Sequence, residues 1–147
     1  MTQSEGAEDK KTLRAQRKSR MIKEEDRLSK EIIGAAIEVH RHLGPGMLES
    51  AYEKCLCKEL EIRNIEFEKQ KPLAVVYKGI TLDCGYKLDV VVEGKVILEL
   101  KSVNKLESIH DAQLLTYLKI ADLKLGILIN FNVPVLKDGI KRIVNNL

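Results

Sequence analysis

YKLDVVVEGKVILELKSV, residues 86–103, is the most informative stretch of the chain. Two runs rich in β-branched residues flank Glu93-Gly94, a pair suited to a hairpin turn. Each run is interrupted by charge: Asp89 in the first, Glu99 and Lys101 in the second. Residues two apart on a strand leave the same face, so Glu99 and Lys101 project together. Burying two charges without partners is costly, so that face must be a cleft or a polar cluster. The hairpin carries Asp89 into the same neighbourhood, but parity matters. A two-residue turn sets Asp89 opposite Leu98, on the wrong face. A three-residue loop over Glu93-Gly94-Lys95, or a bulge near Asp89, sets it opposite Glu99.

Outward from this hairpin, Phe67–Tyr77 and Ile80–Val92 are separated by Lys78-Gly79, a second turn pair, and with Val96–Val103 they predict a three-strand antiparallel meander. Towards the C-terminus, residues 107–121 return to helical spacing through Ile109, Ala112, Leu115 and Leu118. Lys124–Phe131 reads as a buried strand, and a last strand near Ile140–Val144 follows Asp138-Gly139. Towards the N-terminus, a helix from about Leu48 to Arg63 carries Ala51, Tyr52, Cys55, Leu56 and Leu60 on its apolar stripe. Before it, Ile32, Ile33, Ala36, Ile37, Val39 and Leu43 define a helix from Ser29 that Gly44-Pro45-Gly46 ends. The order is α-α-β-β-β-α-β-β, an α/β sandwich on a mixed sheet. Residues 1–27 read as a polar charged tail, disordered or helical, and 28–147 as the domain.

At 147 residues the chain suits one domain, burying roughly 70% of its unfolded surface. Residues 1–30 hold nine bases and six acids, leaving sixteen of each in the body, so the net charge of +3 belongs to the N-terminal segment. An electroneutral body binds nucleic acid only through a local basic patch. Six aromatic residues and no Trp argue against a stacking platform for single strands. Three cysteines make no disulfide framework, and Cys55 and Cys57, two apart on a helix, point in different directions, so reduced thiols are expected. No apolar run approaches a membrane span, and the N-terminus lacks the apolar core of a signal peptide. The expectation is a soluble cytoplasmic protein with no membrane partner.

Two carboxylates converging on one point make a hard-oxygen site for a divalent cation such as Mg²⁺, which also binds phosphate. A neighbouring Lys can orient or deprotonate a water there and offset charge on a pentavalent phosphate. Acid-x-Lys occurs five times in the chain, so the tripeptide means little outside its apolar strand. Gln113 and Tyr117, four apart on a helix, share a face and could donate hydrogen bonds to a phosphate or to the carboxylates. An ordinary helix-edge pair is the plainer alternative. Glu49 and Tyr52 also share a face. The plainer alternative there is an acid favoured by the helix dipole beside a core Tyr. His40 and His42, two apart on a helix, cannot chelate one metal together, and His110 suits a helix start.

Gly46-x-x-Glu49-x-x-Tyr52 reads as G-x-x-E-x-x-Y, within LGPGMLESAYE (43–53) and followed by ILELKSV (97–103), AQLLTYLK (112–119) and LGILINF (125–131). In this order the blocks resemble the GxxExxY proteins of the PD-(D/E)xK nuclease-like superfamily, over roughly residues 28–147. The resemblance implies an α-β-β-β-α-β core with a mixed sheet flanked by helices, here preceded by an extra N-terminal helix. It implies that Asp89, Glu99 and Lys101 are the metal-binding and catalytic triad. Gln113 and Tyr117 would then match the Q-x-x-x-Y motif of RecB-type exonucleases, and Glu49 the acid brought to the metal by the first core helix. The implied activity is Mg²⁺- or Mn²⁺-dependent hydrolysis of DNA phosphodiesters by a metal-activated water, with Asp89, Glu99 and Glu49 as metal ligands. A catalytically silent nucleic-acid-binding or complex-forming module and a nucleotide phosphohydrolase are the competing classes. A homodimer or a protein partner stays open.

Overall fold

The computed structural model describes the backbone of residues 3–146 and the side chains of residues 9–20 and 24–146. Helices α1 (Gln3–Leu43) and α2 (Glu49–Ile62) come first, followed by strands β1 (Phe67–Pro72), β2 (Val75–Tyr77), β3 (Ile80–Leu82), β4 (Lys87–Val92) and β5 (Val96–Lys101). Helix α3 (Ser108–Ala121) then crosses to β6 (Leu125–Asn130), and a 3₁₀ turn (Leu136–Gly139) leads into β7 (Ile140–Val144). The main sheet has the order β1-β4-β5-β6-β7; only β5 and β6 run parallel, which is why a helix must connect them. This is a mixed sheet flanked by helices behind an N-terminal helix, the architecture of a PD-(D/E)XK nuclease core.

Both faces of the sheet are covered. On one, Leu28, Ile32, Ala36 and Val39 of α1 and Tyr52, Leu56 and Leu60 of α2 pack on Val90, Val92, Leu98, Leu100, Ile127 and Ile129. On the other, Leu114 and Leu118 of α3 pack on Leu88, Val91, Ile97 and Leu128. Each large aliphatic side chain so buried contributes about 1.5–3 kcal/mol. Burial on both faces explains why β6 is apolar along its whole length and shows no alternation.

Four sequence expectations are revised. The first helix begins at Gln3, not near Ser29, because its Lys, Arg, Gln and Ala residues favour helix and extending an existing helix costs less than nucleating one. Among the described side chains, those of residues 9–20 are exposed, while Glu24 accepts from Lys95 at 2.5 Å and Asp26 from Arg142 at 2.8 Å. The meander is interrupted between Pro72 and Lys87, where β2 and β3 form a hairpin sheet of their own. Backbone bonding runs one step past Pro72, where the Leu73 N–H donates to the Tyr86 carbonyl at 2.9 Å, and then the strands part, leaving Val76, Tyr77 and Ile80 exposed.

The helix stripes shift as well. In α2 it is Cys57 that is buried, and Cys55 is exposed. At about 100° per residue, a stripe centred between Leu56 and Leu60 takes in Cys57 and leaves out Cys55. In α3, Leu114 and Leu118 face the sheet, whereas Ile109 and Ala112 are exposed.

Close approach of α3 to β6 needs Gly126, where an added Cβ would meet three Leu114 side-chain atoms at 2.9 Å. Gly126→Ala is therefore expected to cost about 1–3 kcal/mol through overpacking, read from the urea unfolding midpoint. A wild-type midpoint would show that Leu114 can move aside.

Candidate active site

The β4–β5 hairpin supplies the irregularity that the charge pattern demands. Its turn has positive φ at both Glu93 (50°) and Gly94 (65°), and the Lys95 N–H closes onto the Val92 carbonyl at 2.9 Å. The first ladder partners are nonetheless Val92 and Val96, so Lys95 is an extra residue and the connection is three residues long. Continued past Val90↔Leu98, this register sets Asp89 across from Glu99. The ladder itself stops there. Leu88 packs on the α3 side and Val90 on the α1–α2 side, although they are two apart, so β4 twists at Asp89. The opposite residue of β1, Gln70, has a positive φ of 51° and is skipped in the β1–β4 pairing. Where β4 and β5 part, the Leu100 N–H donates to Asp89 Oδ2 at 2.8 Å.

Glu99 is 8% exposed, and its Oε1 is buried with no hydrogen-bond partner. Burial first, and then the charge of Asp89, push its carboxyl up to about 8, against the opposing pull of Lys101. A buried acid with an unpartnered oxygen beside a second acid suits a divalent cation.

Helix α2 approaches from the other side. Glu49 is its first residue and is exposed; with Ser50, Glu53, Gln70, Asp89 and Leu100 it surrounds a cavity of about 160 Å³. The loop before it is held by Tyr52, whose hydroxyl donates to the Gly44 carbonyl at 2.6 Å and accepts the Met47 N–H at 3.1 Å. Tyr52 also stacks on Phe131, with ring centroids 4.4 Å apart. Gly46 has a φ of 95°, a conformation that excludes most other residues. The three named positions of G-x-x-E-x-x-Y thus act as one device: the glycine turns the chain, the tyrosine clamps the loop and the glutamate starts the helix. The Ser102 hydroxyl ties the same loop to the end of β5 by donating to the Met47 carbonyl at 2.7 Å.

Helix α3 borders the site on the opposite face. Gln113 Nε2 donates to the Tyr117 hydroxyl at 2.9 Å, and the Tyr117 phenol is raised by desolvation and then by the charge of Glu99. His110 sits in a capping box with Glu107, accepting its N–H at 2.9 Å, and His40 bonds the Val133 carbonyl at 2.8 Å; neither histidine reaches the site.

Asp89, Glu99, Lys101 and Tyr117 are thus brought together electrostatically, and Glu49 shares a cavity wall with Asp89. A closed cage of Asp89, Glu99 and Glu49 does not form: among the described residues no three His, Cys, Asp or Glu side chains cluster as metal ligands. Glu49 lies on the α1–α2 side, Glu99 faces α3, and Asp89 sits at the twist between them. A family model for the PD-(D/E)XK nuclease superfamily matches residues 26–143. The chain belongs to the PD-(D/E)XK nuclease superfamily. Neither the curated proteins nor the solved structures include a match. PD-(D/E)XK proteins are typically nucleases, and the fold implies a nucleic-acid substrate.

Two supports of this candidate site escape a sequence reading. Asn130, buried beside Lys101 in the parallel pair, accepts the Val103 N–H at 3.1 Å and donates to the Val103 carbonyl at 2.9 Å, fixing the exit of β5. Its signal was an amide ending the apolar run of β6. Ser102 follows Lys101, but nothing in the sequence links it to Met47.

The raised Glu99 carboxyl has a defined consequence for stability. Between its ordinary value of 4.5 and about 8 the native state holds a proton that the unfolded chain releases, so metal-free stability falls as pH rises through that window. Glu99→Gln, which cannot ionise, is expected to flatten this slope and to unfold at higher urea than wild type at the alkaline end. An unchanged slope would assign the pH dependence to other groups.

Proposed function

We propose that this chain is a Mg²⁺- or Mn²⁺-dependent nuclease of the GxxExxY kind, acting in the cytoplasm on DNA phosphodiester bonds. The observation that carries the proposal is Asp89 beside a nearly buried Glu99 with an unpartnered oxygen, at the end of the strand bearing Lys101. Asp89 and Glu99 are the cation's protein ligands, and Glu49 shares the small cavity with Asp89 as a further acid. One or two carboxylates suffice, because Mg²⁺ keeps several waters and takes phosphate oxygens as further ligands. When bound, the cation supplies an activated water and neutralises phosphate charge.

The remaining roles belong to side chains. Lys101 Nζ offers a positive charge to the phosphate as negative charge grows in the transition state, where such help lowers the barrier. Because the Tyr117 oxygen accepts from Gln113, its own proton is left free to donate towards the substrate or the Glu99 carboxylate. No helix among the described residues is long and apolar enough to cross a membrane. The charge-balanced body favours weak DNA binding or binding assisted by a second subunit or a protein partner.

Digestion of labelled linear, circular and branched DNA with Mg²⁺ or Mn²⁺ tests the activity. Lys101→Ala is expected to bind DNA still, while its single-turnover rate at saturating enzyme falls by about two orders of magnitude or more. An unchanged saturated rate would make Lys101 a phosphate anchor only. DNA binding with no cleavage by wild type in either metal would establish the silent-module alternative.

Metal binding has a separate readout. Mg²⁺ should raise the wild-type melting temperature by relieving repulsion between Asp89 and Glu99, and this shift should vanish in Asp89→Asn. The same shift in both proteins would place the cation elsewhere.

A further inference from the structure

The face of the sheet that carries α3 holds a feature that the metal site does not use. An open groove of about 510 Å³ lies between α3 and the segment of the β2–β3 hairpin, walled by Leu82, Tyr86, Ile109, Tyr117 and Ile120 with the Gln113 amide on its border. None of its lining residues is charged. Its side chains are exposed although apolar: Ile109 is 68% and Tyr86 46% exposed. Exposed apolar surface of this kind marks a binding region.

The groove and the candidate active site share a residue. Tyr117 belongs to both: it lines the groove and stands close enough to Glu99 to feel its charge. The Tyr86 ring faces it at 6.3 Å between centroids and 60° between planes. A third tyrosine, Tyr77, lies on the hairpin with Lys78 Nζ 5.3 Å from its ring centre. Two of the six aromatic residues of the chain, Tyr86 and Tyr117, therefore meet in the groove. Composition alone argued against a stacking platform, but tertiary structure concentrates the few aromatics available.

The occupant must be flat, largely apolar and uncharged, and must be attached to a phosphate lying at Glu99 and Lys101. A nucleobase meets each condition: its faces stack on tyrosine and aliphatic walls, and its polar edge can reach Gln113. The sugar-phosphate backbone cannot enter an uncharged apolar trough, but Lys78 and Lys87 are exposed on the same hairpin segment to receive it. Bases of an intact duplex are already stacked and cannot enter. We infer that the groove receives an unpaired nucleobase of the strand being cut, which makes single-stranded, flapped or frayed DNA the substrate class. The inference rests on the nuclease reading for the position of the phosphate.

Binding in EDTA tests it without cleavage. The wild-type 147-residue chain is titrated into a single-stranded oligonucleotide carrying 2-aminopurine, into the same strand made abasic, and into a matched duplex. Stacking should quench the probe, and the base-bearing strand should bind most tightly. Tyr86→Ala and, independently, the exposed Ile109→Ser should weaken that binding by roughly 5- to 100-fold while leaving the abasic strand unaffected. Equal losses on the abasic strand, preference for duplex, or no effect of either variant overturns the inference. So does sedimentation showing that Ile109→Ser dissociates a dimer, since a second copy would then own the groove. Base-dependent binding without cleavage in any metal overturns the nuclease reading alone, and cleavage with base-independent binding overturns the groove alone.

Discussion

At the point where β4 and β5 part, a carboxylate takes the place of a strand carbonyl. Regular pairing would give the Leu100 N–H to Leu88, and instead it goes to Asp89 Oδ2 at 2.8 Å. That exchange lets the ladder end without leaving a buried donor unpaired. It also anchors one acid of the site at a fixed place beside the other. The twist at Asp89, the positive φ at Gln70 and the extra residue Lys95 all serve the same end, separating two strands over apolar layers that remain closed. The surrounding sheet bears the strain because Val90, Val92, Leu98 and Leu100 below the break are fully packed.

The second organising element is the clamp before α2. Glu49 could sit at any angle to the sheet if the Gly44–Leu48 loop were free. The Tyr52 hydroxyl holds that loop at both ends, and Ser102 joins it to the residue after Lys101. The acid of α2 and the lysine of β5 are therefore referenced to one another through three hydrogen bonds. Stacking of Tyr52 on Phe131 adds aromatic packing worth about 0.5–1.5 kcal/mol beyond the area it buries.

Electrostatics and shape then divide the neighbourhood of the site. At the end of β5, burial and then the charge of Asp89 raise the Glu99 carboxyl, which favours its protonated form. On the α3 side, an uncharged groove begins at Tyr117 and repels nothing, but offers no attraction to phosphate either. A polymer with charged linkages and flat apolar bases suits this juxtaposition. It also fits a body whose charges balance, since part of the affinity would come from stacking and not from net charge.

Much of this molecule is legible in one dimension. The runs of apolar and β-branched residues, broken by Asp89, Glu99 and Lys101, mark the strands and the candidate site together. The turn pairs Lys78-Gly79, Glu93-Gly94 and Asp138-Gly139 mark where the strands end, because local backbone preferences need no distant partner. The spacing of Glu49 and Tyr52 marks a helix face for the same reason. Other features depend on residues far apart in the chain. Which face Asp89 takes is decided by one extra residue in a loop, and either parity is compatible with the same string of letters. The stripe of α3 is decided by what the sheet offers it, so Leu114 is buried and Ile109 is left at the groove. The roles of Ser102 and Asn130, and the meeting of Tyr86 with Tyr117, appear only when strands and helices pack. Side-chain contacts across 27 to 55 residues of chain carry no periodicity that a sequence could display.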